Sequence, residues 1–452
     1  MFLRSRLQGV VESGPRVLET PAAAPRRAAK EDPFRILKTR VHRLLIEEMK
    51  QGTDEAVNAD EIRILIRSGL EKVSTERGQL LGRSDRDRLI EEIYNDMLGL
   101  GPLEPLLREE EITEVMVNNP RQIFIERAGK IEKSEAVFYD DAHLLRIIDK
   151  IVSRVGRRID ESSPMCDARL PDGSRVNAII PPLAIDGPVL TIRKFRKDPL
   201  KVVDLMEYQS LNQAMAEFLR ACVEAKLNIL ISGGTGSGKT TLLNVMSSFI
   251  PVHERLITIE DAAELQLQQE HVIRLETRPT NIENVGGVDQ AELLRNSLRM
   301  RPDRIILGEV RGREALSMLQ AMNTGHEGSL ATIHANTTRD ALSRLETMVL
   351  MAGMDLPLRA IREQIASAIN LIVQTERSSD GVRRVTSLSE IVGMEGDIIQ
   401  TQDIYVFQRQ GITTEGDIVG QYLPTGIRPK YLDRIYLKGI ELPLEIFSGG
   451  AR

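Results

Sequence analysis

The run Gly233-Gly234-Thr235-Gly236-Ser237-Gly238-Lys239-Thr240 packs four glycines, three hydroxyl residues and a lysine into eight positions, with Thr241 next. Glycines let a backbone adopt positive φ and turn its amides inward, and a helix that starts there adds partial positive charge. Such a loop suits a polyphosphate. Lys239 would reach the β and γ phosphates, Thr240 would give its hydroxyl to Mg²⁺, and the amides along Gly233 to Thr241 would hold the rest. The context is the required one: Leu227 to Ile231 is an apolar run of strand length, and Leu242, Leu243 and Val245 begin a helix. The chemistry expected is binding of ATP with Mg²⁺ and cleavage of its terminal phosphate.

Two further strands end in acid. Leu256 to Ile259 runs into Glu260 and Asp261, and Arg304 to Leu307 runs into Gly308 and Glu309. Carboxylates at the C-terminal ends of parallel strands face the crevice where ligands bind. The second acidic strand of such a site usually ends in Asp, but Gly308 stands in that place and coordinates nothing, so Glu309 must act alone. Glu309 is assigned to ordering Mg²⁺-bound water and Glu260 to polarising the attacking water, with the two roles exchangeable. His326 and His334 bracket the strand-like Leu330 to Ile333. A neutral imidazole at a strand end can hydrogen-bond a γ-phosphate and register its loss, so both are candidate catalytic or sensor groups. No cysteine or third histidine accompanies them as a metal set.

These residues need a framework. Residues 1–33 mix proline, alanine and arginine without apolar period and predict a disordered tail. Phe34, Leu37, Val41 and Leu44, then Leu89, Ile93 and Met97, fall at helical spacing, with a shorter apolar cluster at Ile62 to Ile66, and predict a helical bundle over 34–99. Gly99, Gly101 and Pro102 end it. Over 100–200, short strands at Val115 to Val117, Ile123 to Ile125, Val176 to Ile180 and Val189 to Ile192, with one helix face at Leu144 to Ile151, predict a small α+β domain. The charged stretch Arg193 to Lys201 is a connector. Over 201–452, alternating strands and helices predict an α/β domain of the RecA-like P-loop type, with a parallel sheet covered by helices.

The 452 residues fit about three domains. A net charge of −6, no tryptophan and 4% aromatics offer neither a basic field nor stacking platforms, so no nucleic acid partner is expected. Cys166 and Cys222 stand far apart and make neither a disulfide framework nor a zinc site. No signal-like apolar run opens the sequence and no stretch has a membrane span's length, which predicts a cytoplasmic location.

Four boxes in order resemble a known family, the secretion ATPases of type II and type IV pilus systems, and most closely the CpaF/TadA type of Tad (Flp) pilus machines. Gly233 to Thr240 resembles the Walker A, Thr258 to Leu267 the Asp box, Leu298 to Glu309 the Walker B with that same glycine, and Gly325 to Asn336 the His box. Pro171 to Asn177 and Leu190 to Phe195 resemble the segments ahead of the ATPase domain. The resemblance implies a homo-hexamer, peripheral to the inner membrane through platform proteins, in which hydrolysis rocks two domains and moves pilin. It also implies arginines supplied to the nucleotide by the upstream domain, for which Arg193, Arg175 and Arg169 stand at matching positions. The four-cysteine zinc insertion of many type II relatives is missing, which favours the Tad branch. Conjugation-type secretion ATPases share the boxes and form the alternative, and a nucleotide-gated assembly protein without turnover is a third reading.

Overall fold

The computed structural model describes residues 34, 37–38, 40–42, 44–45, 59–76, 81–127, 129–195, 199–278, 286–353 and 355–448, so the expected tail over 1–33 lies outside them. The chain divides into two compact units, one of Met1–Leu170 with Arg175–Arg193 and one of Pro171–Ser174 with Lys194–Arg452.

In the first unit, helices α1 (Ala59–Glu76) and α2 (Arg83–Leu98) pack with Leu37, Val41 and Leu45 through Ile66, Leu70, Val73, Leu89 and Ile93. The short cluster at Ile62 to Ile66 is thus one stripe of an 18-residue helix. After α3 (Leu103–Arg108) come β1 (Ile112–Asn119), β2 (Gln122–Arg127) and β3 (Lys130–Lys133), then α4 (Asp141–Arg154), then β4 (Met165–Arg169), β5 (Arg175–Ile179) and β6 (Val189–Arg193). The six strands form one sheet in the order β3-β2-β1-β6-β5-β4, with antiparallel neighbours. Asp140 caps α4 by accepting from the His143 amide, and α4 lays Leu144, Ile147, Ile148 and Ile151 into the core with Val115, Val117, Ile123 and Val176.

The second unit begins with α5 (Val202–Glu207) and α6 (Gln213–Glu224), then β7 (Ile229–Gly233), α7 (Lys239–Ser247), β8 (Leu256–Glu260), β9 (Val272–Glu276), α8 (Gln290–Ser297), β10 (Arg304–Val310), α9 (Glu314–Asn323), β11 (Leu330–His334), α10 (Thr338–Met351) and α11 (Leu358–Ala368). The hairpins of β12 (Leu371–Arg377), β13 (Arg383–Glu395), β14 (Ile398–Ile412) and β15 (Ile418–Pro424) follow, with α12 (Leu432–Leu437) after them. The sheet runs β15-β14-β13-β12-β7-β11-β10-β8-β9. From β12 to β9 every neighbouring pair is parallel, as expected; β13 to β15 extend it with antiparallel hairpins that the sequence reading did not contain.

Helices cover both faces of the parallel part, so its strands read as unbroken apolar runs. Ile229 and Ile231 enter one core with Phe218, Leu243 and Met246, while Leu230 between them enters the other with Ile305, Met318 and Ile365. That alternation fixes the register of β7, and with it the place where the glycine run emerges.

Candidate active site

The glycine run leaves β7 at the carboxyl edge of the parallel sheet. Gly236 and Gly238 take φ of +70° and +93°, a region that costs L side chains strain, and Gly238 is the residue from which α7 starts. Gly233 is needed for space: a Cβ there would come to 2.3 Å from Thr375 Oγ1. Lys239, in the first turn of α7, is buried and donates from Nζ to the carbonyls of Gly233 at 3.1 Å and Gly234 at 2.9 Å. Its ammonium therefore sits within the loop's curve. Thr240 and Thr241 follow it, half-buried, on the same turn.

Strand register gathers the other groups at this edge. His334 ends β11 directly opposite Gly233, and Leu307 of β10 pairs Ile259 of β8, so Gly308 and Glu309 emerge beside Glu260. His334 Nε2 lies 3.2 Å from Glu309 Oε1. Burial, then the nearby Lys239 charge, lower the His334 pKa despite Glu309, so a neutral ring donates from Nε2 to that carboxylate. The second oxygen of Glu309 accepts from Arg311 Nη2 at 2.7 Å, and Arg311 also lies 3.5 Å from Asp261. Arg311 thus links Glu309 to Asp261 within the chain.

Glu260 is buried, and its pKa is pushed up to about 7 by desolvation. Amides of Glu264 at 2.7 Å and Leu265 at 3.0 Å donate to its Oε2 and oppose that rise, while its Oε1 is buried without a hydrogen-bond partner. Gly308 now has a physical cause. A Cβ at that position would meet Glu260 Cγ at 2.8 Å, so the glycine replacing the usual aspartate makes room for the glutamate on the next strand.

His326 is a correction. It lies in the turn before β11, on the opposite end of the sheet from His334, and the five residues of β11 between the two ends span roughly 17 Å. Its turn is built around structural anchors: Ser329 Oγ donates to the His326 carbonyl, the Gly328 and Ser329 amides donate to Asn228 Oδ1, and buried Arg304 donates to the Gly328 carbonyl while pairing with Glu254. His326 therefore does not join the γ-phosphate group of its own chain. Arg169, Arg175 and Arg193 lie in the first unit's sheet, where the ladders pair Arg169 with Arg175 and Arg175 with Arg193. Glu114 of β1 is next in that row, 3.8 Å from Arg193.

The reading from sequence missed the β12–β13 hairpin. Thr375 Oγ1 lies 2.9 Å from Ser237 Oγ and donates to the Ser232 carbonyl, and Arg383 Nε donates to the Gly236 carbonyl at 2.9 Å. These partners are far apart in sequence, and no local pattern joins them.

A phosphate loop between a buried parallel strand and a helix, with two acids and a histidine on the adjoining strand ends, defines a P-loop protein of RecA-like α/β architecture. Residues 96–389 match the type II/IV secretion system protein family, and the chain belongs to that family. Residues 34–98 match the N-terminal domain of type II secretion system protein E. A putative conjugal transfer protein of Mycobacterium tuberculosis is 34% identical over 312 residues, 68% of this chain and 88% of that one. The conjugal transfer protein TrbB of Rhizobium radiobacter is 36% identical over 66% of this chain and 88% of its own, and the type IV secretion system protein PtlH of Bordetella pertussis 36% over 63% and 91%. Among solved structures, the VirB11 ATPase of the Brucella suis type IV secretion system, in complex with sulphate, is 32% identical over 64% of this chain and 94% of that one, with a TM-score of 0.35.

Proposed function

We propose that the chain is the ATP-hydrolysing motor of a conjugation-type, type IV secretion machine, moving protein or DNA across the cell envelope. The observation that carries the reading is the meeting of Lys239, His334 and Glu309 beside one phosphate loop, with Glu260 on the strand next to Glu309's at the same edge of the sheet. The named relatives direct it toward conjugal transfer and type IV secretion. Assembly of a Tad pilus remains a second reading, favoured by the match of residues 34–98 to a type II secretion domain. In either machine the chain would work as a homo-hexamer at the cytoplasmic face of the inner membrane, bound through platform proteins. Among the described residues, no helix is long and apolar enough to cross a membrane.

The donor set fits ATP with Mg²⁺. Positive φ at Gly236 and Gly238 gives the loop a curve that L side chains would strain, and the Thr240 hydroxyl and Glu309 carboxylate are the oxygen ligands a hard divalent cation takes. Mg²⁺ bound with ATP would neutralise charge on the phosphate oxygens. Lys239 exchanges its loop carbonyls for phosphate oxygens and holds the β and γ groups. Glu260, with a pKa near neutrality, takes the proton of the attacking water at the oxygen that lacks a partner. His334 holds one oxygen of Glu309 and so fixes the carboxylate's direction. Arg193, Arg175 and Arg169 stand in one aligned row of the first unit's sheet.

Steady-state phosphate release by wild type, Lys239→Ala and Glu309→Ala tests the site: both variants are expected to lose roughly 100-fold or more in Mg²⁺-dependent turnover. Full turnover in either overturns it. Deleting the gene in its native cell separates the machines, since loss of conjugative transfer or protein secretion with normal pili supports the first reading, and loss of pili alone the second.

A further inference from the structure

The hairpin formed by β12, the turn over 378–382 and β13 touches the glycine loop along most of its length. Thr375 meets Ser232 and Ser237, and a side chain at Gly233 would collide with it. Arg383 donates from Nε to the Gly236 carbonyl, and its stem covers Gly238, where a Cβ would lie 3.3 Å from Arg383 Cδ. Arg377, paired with Arg383 across the ladder, brings Nη1 to 3.7 Å from where a Gly236 Cβ would sit. The loop itself has few side chains with which to hold its shape.

We propose that the β12–β13 hairpin braces the phosphate loop, with Arg383 and Thr375 as positioning residues for ATP. The inference rests on the ATPase reading of the site. Its physics follows from the peptide plane. A peptide's carbonyl and the next residue's amide point in opposite directions, so fixing the Gly236 oxygen toward Arg383 fixes the Ser237 N–H toward the loop's inner side. That amide faces the Gly234 carbonyl at 3.4 Å, the same oxygen that accepts from Lys239. Without the guanidinium donor, a loop with positive φ at Gly236 is free to flip this peptide and turn a carbonyl toward the phosphates. Thr375 does the same for the next residue by holding the Ser237 hydroxyl outward. Both residues shape the loop before and after phosphate cleavage alike, so their loss weakens binding of ATP and leaves the chemical step largely intact.

The test uses the full chain and four variants. Arg383→Met keeps the apolar stem over Gly238 and removes the donor; Arg383→Lys restores a donor; Thr375→Val removes the hydroxyl at constant shape; Arg428→Met is a distant surface control. Arg383→Met and Thr375→Val are each expected to raise KM for ATP about tenfold, the worth of one such hydrogen bond, with kcat within about threefold; the melting temperature stays unchanged in Arg383→Met and falls in Thr375→Val, which leaves the buried Ser237 hydroxyl and Ser232 carbonyl without that partner. Arg383→Lys is expected to recover most of the wild-type KM. Direct binding of a fluorescent ATP analogue should follow the same order. Wild-type KM in Arg383→Met, or no recovery in Arg383→Lys, overturns the role of Arg383. If Arg383→Met does not fold, Thr375→Val carries the test, and wild-type KM there overturns the brace. A wild type that neither binds nor hydrolyses ATP removes the ATPase reading and this inference with it, whereas an active wild type with indifferent variants removes the brace alone.

Discussion

Glu260 sits almost wholly out of water, and removing its charge should reveal what burial costs. Its carboxyl rises from the ordinary 4.5 to about 7, with desolvation outweighing the amides of Glu264 and Leu265. At 1.36 kcal/mol per unit, the shift corresponds to roughly 3 kcal/mol. The sign follows from proton linkage. Between pH 4.5 and 7 the folded protein keeps a proton that the unfolded chain has lost, so stability from this group is highest below the unfolded pKa, falls through that window and levels off above 7. Glu260→Gln mimics the protonated form and retains an acceptor for both amides. Its unfolding free energy, from urea titrations at half-unit steps, should match wild type near pH 4.5 and exceed it by roughly 3 kcal/mol at pH 7.5. The same substitution should lower kcat by roughly 10²-fold to 10⁴-fold and abolish the acid limb of the activity profile near pH 7. Parallel stability curves across the window, or an acid limb surviving unchanged in the variant, would refute the reasoning.

Other expectations follow from neighbouring groups. Gly308→Ala drives a methyl into Glu260 Cγ and should cost about 1–3 kcal/mol in a denaturant titration while depressing turnover; an unaltered variant would show that the strand gap is wider than 2.8 Å implies. Arg304→Met strips the buried Glu254 of its main partner and should destabilise the protein by about 3 kcal/mol in a denaturant titration. His334→Ala frees one oxygen of Glu309, and kcat should fall about tenfold with ATP affinity within about threefold of wild type, which single-turnover kinetics will separate.

Much of this site was legible from residue types because its motif is local. The apolar strand, the glycines and the helix after Lys239 lie within one short stretch, and each needs only its neighbours to be read. Glu260 and Glu309 stood out because each follows an apolar run on its own strand, Glu260 as the last residue of β8 and Glu309 one residue before the end of β10. The same strand logic contained the answer for His326: two histidines on either side of one strand emerge at opposite ends of a sheet, and only His334 shares the end with Gly233. Gly308 looked like a defect because its cause, the Glu260 side chain, is on another strand. Arg383 and Thr375 were invisible for the same reason. β13 buries polar residues such as Arg384, Ser389 and Glu390 among its apolar ones and β14 is polar and exposed along much of its length, so both lack the apolar alternation that announces a strand.

Calorimetric titration of ATPγS with Mg²⁺ into the 452-residue chain tests the central claim most directly. Wild type is expected to bind one nucleotide per chain and Lys239→Ala to bind it at least tenfold more weakly, because the ammonium that Gly233 and Gly234 now hold would be missing from the phosphates. Equal affinity in the two proteins, or no heat of binding in wild type, would contradict a phosphate-holding role for the Gly233 to Thr240 loop.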